Sequence, residues 1–201
     1  MSVAVLGETL EQAAAAARAC THCAAHLPRG PRPVFRASVT ARLLIASQAP
    51  GTRVHETGIP WNDRSGDRLR GWLAMDRDTF WDESRIAIVP AGLCYPGRDS
   101  RGGDLPPRPE CAPMWHHRLI ACLPGISLTI LIGQYAQAIH LAGRRKANLT
   151  ETVAAWRDYL PDYLPLPHPS WRNTAWLTRN PWFEAELVPE LRRRVGVVIG
   201  G

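Results

Sequence analysis

The sequence predicts an α/β fold: a central four-stranded parallel sheet in a three-layer α/β/α sandwich. Three observations carry this. The runs "RLLIAS" (42–47), "RIAIVPAG" (85–92), "SLTILIG" (127–133) and "YLPLPHPS" (163–170) are apolar almost throughout, as strands buried on both faces must be. Segments with helical spacing separate them, which is the alternation of a parallel sheet. The runs end in "SQAPG", "PAGLCYPG", "GQYA" and "HPSWRN", and in such sheets ligands gather outside the carboxyl ends of the strands.

The elements follow in order. An Ala-rich helix is expected over 8–19, with Thr9 as its N-cap. "CTHCAAHLPRGPRPVF" reads as an irregular loop. After the first strand, "SQAPGTRVHETGIPW" (47–61) reads as a polar loop. "GDRLRGWLAM" (66–75) places Leu69, Trp72 and Leu73 at helical spacing. Helices are expected at 112–123, at 134–142 and at 150–160, the last with Thr150 as N-cap. A C-terminal helix over 180–195 carries Pro189 as a kink or break.

The 201 residues suffice for one domain with a full core, of which residues 1–30 supply the N-terminal helix and the first cysteine loop. The start "MSVAVLGETLEQ" lacks a basic leader region, and no run of eighteen apolar residues occurs. A cytoplasmic protein with no membrane span is expected. The net charge is +6 and Lys146 is the only lysine, so the basic surface is arginine. Arginine forks suit phosphate, so a polyanion is a weakly indicated partner.

Five cysteines in a cytoplasmic chain argue against disulfides. Cys20 and Cys23 form a C-x2-C; seventy residues intervene before Cys94, and sixteen more before Cys111. Cys122 lies in "RLIACL" and reads as core. Four thiolates drawn from two loops would suit zinc or an iron–sulfur cluster, the alternative being small buried thiols. His168 is held stiffly between Pro167 and Pro169. With the "QAPG" loop it sits at a strand's carboxyl end, so the two can face one cleft.

Taken together, "QAPG" (48–51) followed by "GIPW" (58–61), the cysteine spacing, and "HPS" (168–170) after the last strand resemble the uracil-DNA glycosylase superfamily. The iron–sulfur-containing branch, family 4, looks nearest. The resemblance implies a monofunctional enzyme of base-excision repair that flips a deaminated base out of DNA and hydrolyses its N-glycosidic bond. It implies that His168 hydrogen-bonds the departing base and that Ala49, Pro50 and Gly51 line the base pocket with Trp61 stacking on the base. Ser170, Trp171 and Arg172 would meet DNA, and Cys20, Cys23, Cys94 and Cys111 would hold a structural [4Fe–4S] cluster in preference to zinc. A monomer is expected by analogy.

Two departures from that pattern matter, a missing carboxylate and a missing Asn. Gln48 stands where family 4 has a Glu, and Ala49 where other members have a catalytic Asp. The family's later acidic pair aligns with Val54 and His55. Glu56 is therefore expected to swing inward with His55 in support, Gln48 being the other candidate and Asp63 the next nearest acid. Pro90 stands where family 4 reads the uracil edge with an Asn, which leaves reading to backbone groups around Ala91 and Gly92. Less directional reading predicts a broader range: uracil first, with hypoxanthine or xanthine.

Three other readings compete. A non-catalytic module binding damaged or single-stranded DNA would tolerate loss of the carboxylate. Covalent capture of the abasic sugar is disfavoured, because "GRDSRGG" (97–103) has arginines and no histidine. A zinc ribbon is disfavoured by the seventy-residue gap.

Overall fold

The computed structural model describes residues 7–100 and 102–200. The start of the chain, used above to argue against a leader, and Arg101 of the "GRDSRGG" loop lie outside the described residues. Strands β1 (Leu43–Ala46), β2 (Ile86–Ile88), β3 (Leu128–Ile132) and β4 (Tyr163–Leu166) form one sheet in the order β2-β1-β3-β4. Every pair is parallel, with Leu43 opposite both Ile86 and Leu128, and Thr129 opposite Tyr163. The expected four-stranded parallel α/β architecture is present.

The helices are α1 (Leu10–Arg18), α2 (Thr52–Thr57), α3 (Arg64–Leu73), α4 (Arg77–Phe80), α5 (His117–Ala121), α6 (Gly133–Leu141), α7 (Leu149–Ala154), α8 (Thr174–Arg179) and α9 (Val188–Gly200). Side chains alternate across the sheet, and this alternation divides the core into layers. Leu43, Ile45, Ile86, Ile88, Ile130 and Leu164 face Leu69 and Trp72 of α3, Val153 of α7, and Leu191 and Val195 of α9. On the opposite face, Leu44 and Ala87 meet Ala13, Ala14 and Ala17 of α1 and Leu119 of α5. Ala46 and Leu131 meet Ala136 and Leu141 of α6 together with Tyr159. The alanine stripe lets α1 lie close on the sheet, and an ion pair between Glu8 and Arg118 ties it to α5. Among the described residues no helix is long and apolar enough to cross a membrane.

Several expected elements change at their ends. Thr9 caps α1 in a reciprocal box with Gln12. The second strand ends at Ile88 because Pro90 has no N–H. The chain nevertheless stays paired, with Ala91 N–H bonded to Ser47 O at 2.9 Å and Gly92 N–H to Gln48 O at 2.8 Å. Pro165 sits in β4, an edge strand, where a missing donor is tolerated. The N-cap of α7 is Asn148 and not Thr150, because the Asn148 side chain accepts from Glu151 N–H at 2.9 Å. Thr150 Oγ1 accepts from Trp176 Nε1 instead, at 2.7 Å. The C-terminal helix continues past Pro189 to Gly200, preceded by a π turn over Phe183–Leu187. Proline in the first turn of α9 removes one rung of the ladder without stopping it.

Phe183 closes the core under α3, fully buried, with its ring 4.9 Å from that of Trp72 and 5.7 Å from that of Trp176. Phe183→Ala is expected to cost about 3–5 kcal/mol of unfolding free energy, measured by urea denaturation.

Candidate active site

Since all four strands point the same way, their carboxyl ends share one edge. A cleft of about 690 Å³ opens there, within the range of small-ligand sites. It gathers Gln48, Ala49, Pro50 and Gly51 from the loop after β1, Trp61 from the segment before α3, and Pro90 from the loop after β2. From beyond β4 it takes His168, Ser170, Trp171 and Arg172.

Trp61 is presented by an unusual backbone. Its φ is +58°, a conformation that costs a bulky residue energy and persists only when its surroundings impose it. Trp81 Nε1 donates to Pro60 O at 2.8 Å, and Arg70 Nη1 donates to Trp61 O at 3.3 Å. Arg70 is itself buried, paired with Asp67 and lying over the Phe80 and Trp81 rings. Asp63 caps α3 by accepting from Gly66 N–H at 2.8 Å. A Cβ on Gly66 would lie 1.7 Å from Trp61 O, so the turn exists only because that residue is glycine.

The Trp61 and His168 rings stand 5.5 Å apart, tilted by 32°. Asn173 Nδ2 holds His168 O at 2.7 Å, and Arg68 Nη1 holds Ser170 O at 3.1 Å. Burial holds the His168 pKa below the usual histidine range, with the charge of Asp63 opposing. The ring is neutral at pH 7 and can donate one hydrogen bond. Trp171 is exposed, with Arg172 packed over its ring at 5.4 Å.

Three expected site residues lie outside the cleft lining, and a fourth, Gln48, lines it with its amide already engaged. The stretch read as a polar loop contains α2, whose turn directs Val54 and His55 inward and Glu56 to solvent. Glu56 pairs with Arg29 at 2.6 Å, outside the cleft. His55 is buried against Tyr95, with ring centroids 5.8 Å apart, and does not line the cleft. Neither reaches the cleft, because helical periodicity fixes where each points. Ala91 is buried, and its N–H and that of Gly92 are already bonded to Ser47 O and Gln48 O; those donors are not free to read a base. Gln48 does line the cleft, but its Nε2 donates to Leu105 O at 3.0 Å.

Pro90 O accepts from His116 Nδ1 at 3.1 Å. A carbonyl only accepts, so the neutral His116 ring has its proton on Nδ1, and its Nε2 accepts from His140 Nε2 at 2.9 Å. Burial pushes His116 down to about 3 and His140 to about 4. Three acids also line the cleft: Asp63, used as a cap, and Asp99 and Asp104 from the 97–105 loop. Desolvation raises the Asp104 pKa, opposed by the charges of Arg98 and Arg172 and reinforced by Asp63. The sequence around Asp104 carries no motif; only the fold brings it to the cleft.

Cys20, Cys23, Cys94 and Cys111 line one small cavity walled by Leu27, Pro31, Met114 and Trp115. All four are free thiols. Leu93 N–H donates to Cys111 Sγ at 3.3 Å. Burial lifts the Cys94 thiol to about 11 and the Cys111 thiol to about 12. Among the described residues no three His, Cys, Asp or Glu side chains are grouped tightly enough for a single metal ion. Cys122 packs between α1 and α5, as expected of a core residue.

A model of the uracil DNA glycosylase superfamily matches residues 34–192. The match includes all three cleft loops, Cys94 and Cys111; Cys20 and Cys23 precede it.

Two expected outcomes follow from this geometry. Gly66→Ala should cost about 1–3 kcal/mol through overpacking and displace Trp61, seen as a lower melting temperature with a shifted tryptophan emission. The buried histidines stay neutral in the fold but take up protons near 6.5 when unfolded. Stability is therefore full above pH 6.5 and is lost as pH falls toward the folded values of about 4 and about 3. The expected slope is about 1.4 kcal/mol per pH unit for each histidine, read from urea midpoints at pH 7.5 and 5.

Proposed function

The chain belongs to the uracil-DNA glycosylase superfamily, and on that premise we propose that it is a monofunctional DNA glycosylase of base-excision repair that removes uracil. The observation that carries the proposal is the pairing of Trp61 and His168 across the cleft, 5.5 Å between ring centroids, beside the 48–51 loop. A flipped base stacked on Trp61 would present its carbonyl edge to His168. As the C1′–N bond breaks, its electron pair leaves with the base. A neutral imidazole donating into a partly desolvated cleft stabilises that developing anion without first losing a proton. Pro50 and the α2 start hold the opposite wall.

DNA reaches the cleft along the loop after β4. The exposed Trp171 and the arginines Arg68 and Arg172 suit a duplex opened at one nucleotide. Base selection in this chain is weakly directional. Proline stands at position 90, its carbonyl is bonded to His116, and the next two N–H groups are bonded to the β1 loop. Hypoxanthine or xanthine are therefore proposed as further substrates.

The four cysteines are proposed to hold a [4Fe–4S] cluster. A sulfur-only donor set lining one cavity, with Leu93 N–H donating to the Cys111 sulfur, supports this reading. Zinc, held by the same four thiolates, is the alternative. Such a cluster would fasten the segment after α1 to the loop after β2 and leave the hydrolysis to other residues.

The test uses single-stranded and duplex oligonucleotides bearing one uracil, hypoxanthine or xanthine, with alkali to cut abasic sites. Uracil-dependent cleavage that drops about 10²–10³-fold in His168→Ala is expected. A folded protein that binds these oligonucleotides and cuts none of them would instead support a non-catalytic DNA-binding module, the reading favoured by a first loop without an acid. Freshly purified protein should contain iron and absorb broadly at about 400 nm; colourless protein containing only zinc would overturn the cluster.

A further inference from the structure

We propose that Asp104 is the carboxylate this cleft uses at the sugar, delivered by the 97–105 loop because the loop after β1 has none. The inference rests on the glycosylase reading. An N-glycosidic bond breaking through an oxocarbenium-like sugar needs a negative charge beside it and a group to take a proton from the attacking water. Residues 48–51 offer Gln, Ala, Pro and Gly. Glu56 is turned to solvent and paired with Arg29. Asp63 spends one oxygen capping α3, and Asp99, the third acid of the cleft, accepts from Gly103 N–H inside its own loop.

Asp104 lines the cleft, and its Oδ2 lies 3.6 Å from where a Cβ on Gly51 would sit. It therefore stands against the very loop that lacks an acid. The 97–105 loop is built to hold it there. Leu105 N–H bonds Gly97 O at 2.9 Å, and Asp99 N–H bonds Gly103 O at 2.7 Å. Gly103 N–H returns to Asp99 Oδ1 at 2.7 Å. Two cleft side chains then clamp the loop from outside: Gln48 Nε2 on Leu105 O at 3.0 Å and Arg172 Nη2 on Gly102 O at 2.8 Å. Gln48 is thus a positioning residue, its amide occupied in fixing the segment that carries the acid. Arg98, 3.7 Å from the carboxylate, orients it, and its charge opposes the upward pull of desolvation.

In the step itself, the C1′–N pair departs with the base, hydrogen-bonded by His168. The Asp104 anion faces the cationic sugar. Water adds its oxygen to C1′ and yields one proton to Asp104. That proton then passes to the base anion, so the products are an abasic site and a neutral base, with the carboxylate regenerated.

The test is single-turnover excision from uracil-containing duplex, with DNA affinity and melting temperature measured in parallel. Asp104→Asn is expected to slow excision about 100-fold or more, with affinity changed less than about 3-fold and melting unchanged. Formate should restore part of the rate to Asp104→Gly, which a merely structural role would not allow. Gln48→Ala should lose about 10-fold alone and add nothing to Asp104→Asn, since the two act as one unit. Asp63→Asn, which keeps the cap, should lose at least about 10-fold less than Asp104→Asn. Wild-type excision with Asp104→Asn within about 3-fold of it, or with Asp63→Asn carrying the large loss, would overturn the assignment and leave the glycosylase reading standing. No excision of any base by folded wild-type protein would overturn both.

Discussion

Parallel pairing is the constraint from which the rest follows. Four strands hydrogen-bonded in one direction must release their chains at one edge, and the loops after β1, β2 and β4 supply the residues of the cleft. The order β2-β1-β3-β4 puts β1 and β3 in the middle, so the chain departs to either side of the β1 loop. A crevice at that place is what an open α/β sheet provides without further design. Buried Gln137, whose Nε2 bonds Leu131 O and Leu166 O, stitches the β3 and β4 exits together just before His168.

Against this scaffold the site spends local stability on orientation. Trp61 occupies a left-handed backbone region, held by the indole of Trp81, the guanidinium of Arg70 and the missing Cβ of Gly66. His168 is kept neutral by desolvation, and Asp104 is pushed toward protonation by the same cause while two arginines oppose it. An imidazole that donates and an acid that faces cationic charge are the two electrostatic partners glycosidic cleavage calls for. Here they come from different strand loops.

Long, strongly patterned features were legible in the sequence. The four apolar runs, the Thr9 cap and the Ala stripe of α1 need only local rules, and "QAPG", "GIPW" and "HPS" placed Trp61, His168 and Ser170 at one cleft. Short or non-local features were not legible. Six residues of α2 show too little periodicity to separate helix from loop, and that alone turned Glu56 from an inward acid into a surface ion pair. Asn148 and Thr150 are both good caps, and the choice between them is made by the Trp176 indole, a tertiary contact. Pro189 looked like a break because a π turn that absorbs a lost rung leaves no mark in composition. Asp104 lies in a Gly- and Arg-rich stretch with no motif, and its approach to Gly51 depends on two clamps from distant loops.

The central claim is that this cleft releases a base from DNA instead of only holding it. Its most direct test is to incubate the intact protein with excess uracil-containing duplex and quantify free uracil by mass spectrometry beside the abasic sites formed. The account predicts free uracil equal to abasic sites and exceeding the enzyme present, with no strand break before alkali. Tight, saturable binding of the same duplex with no free base released would contradict it.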